Sequence, residues 1–167
     1  LLAPANASDN CGSFTISNID ITIPGDNAGN YLIERSFTAI DDCGNSSSGI
    51  QTISVVDTTA PSLSIPSDYT SECSDDLILN DASGSDNCGD VSISEESETV
   101  PGDALGNYTV VRTFTATDDS GNSTTLSQTI TVVDTTAPEI IAPANFIAEC
   151  SDDIAFDDAS AVDACGT

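Results

Sequence analysis

The chain has 167 residues and a formal net charge of −26, because 28 acidic residues stand against only Arg35 and Arg112. So acidic a chain is repelled by nucleic acid and by anionic membrane surfaces, and no apolar run approaches the roughly 20 residues of a membrane-spanning helix. With no His, no Lys and no Gly-x-Ser-x-Gly, the common nucleophile–base pairs cannot be assembled, and the chain is not expected to be an enzyme.

The hydrophobic residues fall in periodic runs, which argues against disorder despite the acidity. In chain order, Leu63 and Ile65 alternate before Pro66, and Val91 and Ile93 alternate with serines. In Tyr108–Asp118 one face carries Tyr108, Val110, Arg112, Phe114 and Ala116, and the other carries Thr109, Val111, Thr113, Thr115 and Thr117. That period of two predicts a half-buried strand. Asp118-Asp-Ser-Gly-Asn122 supplies turn chemistry, and Ser123–Asp134 continues as a second strand with Leu126, Gln128, Ile130 and Val132 in phase. No amphipathic helix is found. The expected fold is all-β, built as antiparallel sandwiches.

A shift of 77 residues lays the sequence on itself without a gap. Cys11 falls on Cys88 and Cys88 on Cys165; Cys73 falls on Cys150; Asp57-Thr-Thr-Ala-Pro61 falls on Asp134-Thr-Thr-Ala-Pro138. Arg35 matches Arg112, and Phe37 matches Phe114. The expected organisation is residues 1–57 as the back of one repeat, 58–134 as a complete repeat and 135–167 as the front of the next, a window on a longer array.

Six cysteines without metal-type Cys-x-x-Cys spacing point to disulfides and an oxidising, extracellular setting. Parity within each repeat gives Cys73–Cys88 and Cys150–Cys165, with Cys11 bonded to a residue preceding this segment and Cys43 left over. Cys11–Cys43 is the alternative.

Asp86-Asn-Cys-Gly89, Pro101-Gly102, the strand ending Thr-Ala-Thr-Asp118, then Ser120-Gly-Asn122 and Thr-Ile-Thr-Val-Val-Asp134 resemble, in that order, the hyalin repeat. The resemblance implies an immunoglobulin-like module. With the Asp-Thr-Thr-Ala-Pro junction it is similar to repeats of very large secreted surface proteins of Bacteroidetes that serve adhesion, biofilm and gliding. Two departures are Ser120, where the preceding repeat has Cys43, and the lack of a cysteine just before Tyr108. In that setting Asp-Thr-Thr resembles an O-glycosylation motif, which marks Thr58 and Thr135. The sequons beginning at Asn6, Asn45, Asn107 and Asn122 would matter only in a eukaryotic secretory host.

In such a sandwich the loop holding Asp86 and the hairpin tip holding Asp118, Asp119 and Asn122 are expected at the end where Asp57 arrives from the previous module. Asp134 and Asp163 are their counterparts at the next junction, and Asp9, Asp41 and Asp42 at the preceding one. Carboxylates crowded without cations suit Ca²⁺, which takes six to eight oxygen ligands in flexible geometry. Glu72, Asp75 and Asp76 form a further cluster. The alternative is that all are solvated turn residues that keep the array soluble. Arg35 and Arg112, in phase with the core rows, are expected to form bidentate carboxylate pairs.

Three functions remain open: a stalk or filament module of a cell-surface adhesin, a module binding a glycan or surface protein, and a spacer beside a secreted hydrolase. The expected partners are neighbouring repeats of the same chain and laterally associated copies. Nucleic acid and membrane insertion are excluded.

Overall fold

The computed structural model describes residues 5–10, 12–151 and 153–165. It is all-β, with no helix among the described residues. The described residues form eleven strands in the order β1 (Phe14–Pro24), β2 (Tyr31–Asp41), β3 (Ser46–Val55), β4 (Ser62–Ser64), β5 (Tyr69–Glu72), β6 (Ser83–Ser85), β7 (Val91–Pro101), β8 (Tyr108–Asp118), β9 (Ser123–Val133), β10 (Glu139–Ile141) and β11 (Ser160–Val162). Four sheets result: β1-β2-β3, β5-β9-β8-β7, and the pairs β4-β6 and β10-β11. By contacts the chain divides into two compact units, one of Leu1–Ser62, Gly84–Ser92 and Ala116–Thr124, the other of Leu63–Ser83, Ile93–Thr115 and Thr125–Thr167. The hairpin tip 116–124 and the loop 84–92 therefore group with the segment before them rather than with the rest of 58–134.

In the first unit β1, β2 and β3 form an antiparallel meander, with Phe14 opposite Asp41 and Tyr31 opposite Val55. Gly29 lies between β1 and β2 at φ 82°, and Gly44 between β2 and β3 at φ 86°. This backbone conformation suits glycine because a Cβ would meet the neighbouring carbonyl. The second unit holds the buried core: Val110, Ile130 and Val132 pack together, with Tyr69, Cys73, Leu77 and Tyr108 against them. Along β8 the residues from Val110 to Asp118 alternate buried and half-buried, so the face read from the sequence as inward is inward. On β9 the same holds for Gln128, Ile130 and Val132, but Leu126 remains 41% exposed. β5 runs parallel to β9, Tyr69 facing Ile130 and Glu72 facing Val133. This pairing was not read from the sequence, because it joins strands far apart along the chain.

Arg112 is 2% exposed and makes the bidentate pair expected of it. Its Nε and Nη2 donate to the two Glu95 carboxylate oxygens at 2.7 and 3.0 Å. Nη1 donates to Asn80 O and to Gln128 Oε1, both at 3.0 Å, and the guanidinium lies 4.8 Å from the Phe114 ring centroid. Every face of a buried charge is thus answered. Arg35 pairs in the same bidentate way with Asp20, at 2.6 and 2.5 Å, but in a half-exposed setting.

The cysteine pairing read from parity is corrected. Cys73 is bonded to Cys165, 92 residues on, with Cα atoms 5.7 Å apart; Cys73–Cys88 and Cys150–Cys165 do not form, and Cys43, Cys88 and Cys150 are free thiols. Cys11 and its alternative bond to Cys43 lie outside the described residues. The reason is spatial. Cys73 follows β5 and donates its N–H to Val133 O at 3.0 Å, so it stands where β9 ends. Cys88 stands by the hairpin that precedes β9, beside Asp57 and Asp86. Closeness in sequence is overridden by a whole strand between their neighbours.

Candidate functional site

The candidate site is the junction around Asp57. Asp57 N donates to Asn30 Oδ1 at 2.7 Å, which fixes the chain leaving β3 against the β1–β2 turn. That turn is closed by Gly25 N to Asn30 O at 2.9 Å and by Asn30 N to Asn27 O at 3.2 Å. Asn122 Nδ2 reaches Asp57 O at 3.4 Å, and Asn30 Nδ2 donates to Ser120 Oγ at 3.2 Å. Gly29 must be glycine for a second reason besides its φ: an added Cβ would lie 2.8 Å from the Cys88 Cβ. Ligand atoms of Asp57, Asp86 and Cys88 all lie within 4.8 Å of one another. Asp86 Oδ2 accepts the Cys88 N–H at 2.7 Å, whereas Asp86 Oδ1 is buried with no hydrogen-bond partner.

The other predicted ligands divide by what their oxygens already do. Asp118 Oδ1 accepts the N–H groups of Ser120 and Asn122, both at 2.9 Å, and Oδ2 accepts Asn122 Nδ2 at 2.9 Å. Burial pushes the Asp118 carboxyl up, but these hydrogen bonds together outweigh it and hold it below the usual aspartate value. Asp41 does the same work at the β2–β3 turn, accepting Cys43 N, Asn45 N and Asn45 Nδ2 at 2.9, 2.8 and 2.7 Å. Asp42 Oδ2 accepts Ser13 N at 3.1 Å, and Asp9 lines a shallow cleft with Asp41 and Asn45. Asp119 lies beside the loop, its Oδ2 3.0 Å from where a Gly89 Cβ would stand. Asp57 and Asp86 are therefore brought together, while Asp118 and Asn122 act as a turn clamp at their side.

Corresponding hydrogen bonds occur at residues 77 positions later, in the other unit. Asp134 N donates to Asn107 Oδ1 at 2.7 Å, Cys165 N to Asp163 Oδ1 at 2.9 Å, and Gly102 N to Asn107 O at 2.8 Å. Gly106 has φ 84°, and its added Cβ would lie 3.2 Å from the Cys165 Cβ. The group of Cys73, Asp134 and Cys165 is close enough to suggest a metal site by distance alone, but both sulfurs are spent in the disulfide. Near it, Glu72 accepts the Thr135 N–H at 3.1 Å and also the Thr135 hydroxyl. Glu72, Asp75 and Asp76 line an open cleft of about 500 Å³ with Thr135. Thr58, the other marked threonine, is exposed. The amides of Asn45 and Asn122 are committed to Asp41 and Asp118, so these sequon residues serve their turns.

Replacing Asp118 by Ala removes the acceptor of three donors at the tip. Amide exchange measured by NMR is expected to accelerate at Ser120 and Asn122 in the Asp118→Ala protein while Ile130 and Val132 stay protected. In the wild type the carboxyl is lowered, so its contribution is full above the ordinary aspartate value and fades as pH falls through the lowered one.

No protein-family model matches the chain, and no match is found among curated proteins.

Proposed function

We propose that the chain is part of a tandem array of extracellular, immunoglobulin-like modules resembling hyalin repeats, and that it works as a structural element of a cell-surface stalk or filament of adhesive type. One observation carries this reading: the junction recurs. Asn30 with Asp57 and Asn107 with Asp134 make the same 2.7 Å hydrogen bond. β1 and β2 have their bounds 77 residues before those of β7 and β8. A repeat that keeps its length keeps a constant rise and rotation per unit, whereas arrays built for recognition vary their loops. The Cys73–Cys165 bond supports an oxidising compartment. The partners in this reading are neighbouring repeats of the same chain.

Ca²⁺ at the junction belongs to the same proposal. The orphaned, buried Asp86 Oδ1 is what favours it, since a buried carboxylate oxygen without a donor is costly. Asp57 and Asp86 would hold the ion; Cys88, a soft sulfur donor, does not suit a hard cation. The ion would neutralise converging carboxylates and stiffen the Asp57–Pro61 linker.

The test is solution scattering and thermal melting of the native array in millimolar Ca²⁺ and in chelator, at matched ionic strength. The expected results are a maximum dimension growing linearly with repeat number, at about 35–45 Å per repeat from strands rising 3.3 Å per residue, and a higher Tm with Ca²⁺. Flexible-coil scaling would refute the stalk. Equal melting curves would remove the ion and leave the solvated-turn account.

A further inference from the structure

Cys88 and Cys165 occupy equivalent positions in the 77-residue register, and so do Cys150 and Cys73. Yet Cys165 and Cys73 are bonded to each other while Cys88 and Cys150 are free. The surroundings of Cys88 match those of Cys165. Cys88 N rests on Asp86 and Cys165 N on Asp163, at 2.7 and 2.9 Å. Each cysteine packs against a positive-φ glycine, Gly29 for Cys88 and Gly106 for Cys165. Each lies in a compact group with an aspartate that follows a long strand, Asp57 after β3 for Cys88 and Asp134 after β9 for Cys165. At Cys165 the third member of that group is a second sulfur, Cys73, whereas at Cys88 it is Asp86.

We propose that Cys88 and Cys150 are the two open halves of a repeated inter-module disulfide. Cys88 bonds the cysteine that stands 92 residues before it, the counterpart of Cys73 in the preceding repeat, and Cys150 bonds the counterpart of Cys165 in the following one. This rests on the tandem-array reading above. In it each module is locked covalently to the next beside the linker, so the linker is not the sole covalent path between modules. Oxidation forms one S–S bond from two thiols and releases two protons and two electrons. The oxidant is a disulfide of the extracytoplasmic compartment, which is itself reduced to two thiols by exchange.

The electrostatics fit this outcome. Burial, with Asp57, Asp86 and Asp118 around it, pushes the Cys88 thiol up, so a thiolate is disfavoured there, whereas a neutral disulfide places no charge among the carboxylates. The same chemistry is already present where Asp134 adjoins Cys73–Cys165.

The test is a disulfide map of the native full-length protein, purified without reductant and with free thiols alkylated first. Cleavage before Asp suits this chain: it isolates Asp86–Gly89 around Cys88 and Asp68–Ser74 around Cys73. The expected result is the Asp86–Gly89 peptide joined to a peptide whose cysteine lies 92 residues upstream, and Cys150 joined to one the same distance downstream. Cys88 recovered alkylated, or joined to Cys73 or Cys150, would overturn the proposal. The two levels separate cleanly. If a cysteine stands at the upstream position and Cys88 is nevertheless alkylated, the disulfide fails and the array stands. If the upstream sequence holds no repeat and no such cysteine, both fail together.

Discussion

Reduction of the Cys73–Cys165 bond is expected to destabilise its unit by about 3–5 kcal/mol. The bond closes a segment of 92 residues, and in the chain-entropy account the stabilisation rises with the logarithm of that length. What it secures has little else to hold it. Ile140 is 72% exposed, Ile147 99% and Phe156 86%, and β10 and β11 share only three register pairs. The core of Val110, Ile130 and Val132 lies on the other side of the bond, with Cys73 packed against it. Urea denaturation with and without dithiothreitol checks this. The wild-type midpoint should fall on reduction, and Cys73→Ser should start at the lower midpoint and ignore the reductant. Proteolysis after reduction should begin within residues 139–165. A wild-type midpoint indifferent to dithiothreitol would show that the bond contributes nothing.

Arg112→Ala is expected to cost about 3 kcal/mol, toward the lower end of what breaking a buried ion pair costs, because Glu95 keeps some contact with water. Gln128, 1% exposed, would lose its donor at Oε1, Asn80 O would lose its donor too, and Phe114 would lose the guanidinium stacked near its ring. Arg35→Ala removes the same bidentate geometry from a half-exposed pair and should change stability little. Chemical denaturation of the two variants side by side tests whether burial or pairing sets the effect. Equal losses would mean burial does not matter. The acid limb gives an independent check. The Arg112 hydrogen bond holds Glu95 below its ordinary value against the opposing effect of burial. The pair's contribution is therefore full above the ordinary glutamate range and is lost as pH falls through the lowered value. Arg112→Ala should flatten that part of the stability–pH curve.

The strands were legible because period-two alternation is a local property. Tyr108–Asp118 and the stretch from Gln128 to Val132 follow their faces as written, and the Asp118–Asn122 tip follows its turn residues, with Asp118 gathering the N–H groups of its own loop. The bidentate role of both arginines was legible for the same reason: each stands in phase with the apolar row, where an unpaired charge is intolerable.

Among the acids, convergence of Asp57 with Asp86 could be reasoned from a sandwich, but the division of labour could not. Asp118 and Asp41 are consumed by their own turns, while Asp86 keeps one oxygen without a donor. That outcome depends on where a handful of N–H groups point, which no spacing encodes. A clue was present: Asp118 and Asp41 precede Gly and Asn at fixed offsets, the pattern of a turn clamp.

By itself the sequence determined the all-β class, the strand faces and the turn chemistry, and it set Asn30, Asp57 and Asp86 at 77 positions before Asn107, Asp134 and Asp163, since each is read along the chain. Only the tertiary structure decided burial and bonding. β2 carries the same alternating pattern as β8, yet no residue on it is fully buried, because burial depends on which other segments come to lie against a face. Cys73 could be counted with Cys88 by parity, but its partner was chosen by the parallel pairing of β5 with β9, which carries it to Val133 and so to Cys165. A disulfide joins sulfurs that the fold brings within bonding reach, and that reach is measured through space, where 92 residues of chain can separate nearer neighbours than a short loop does.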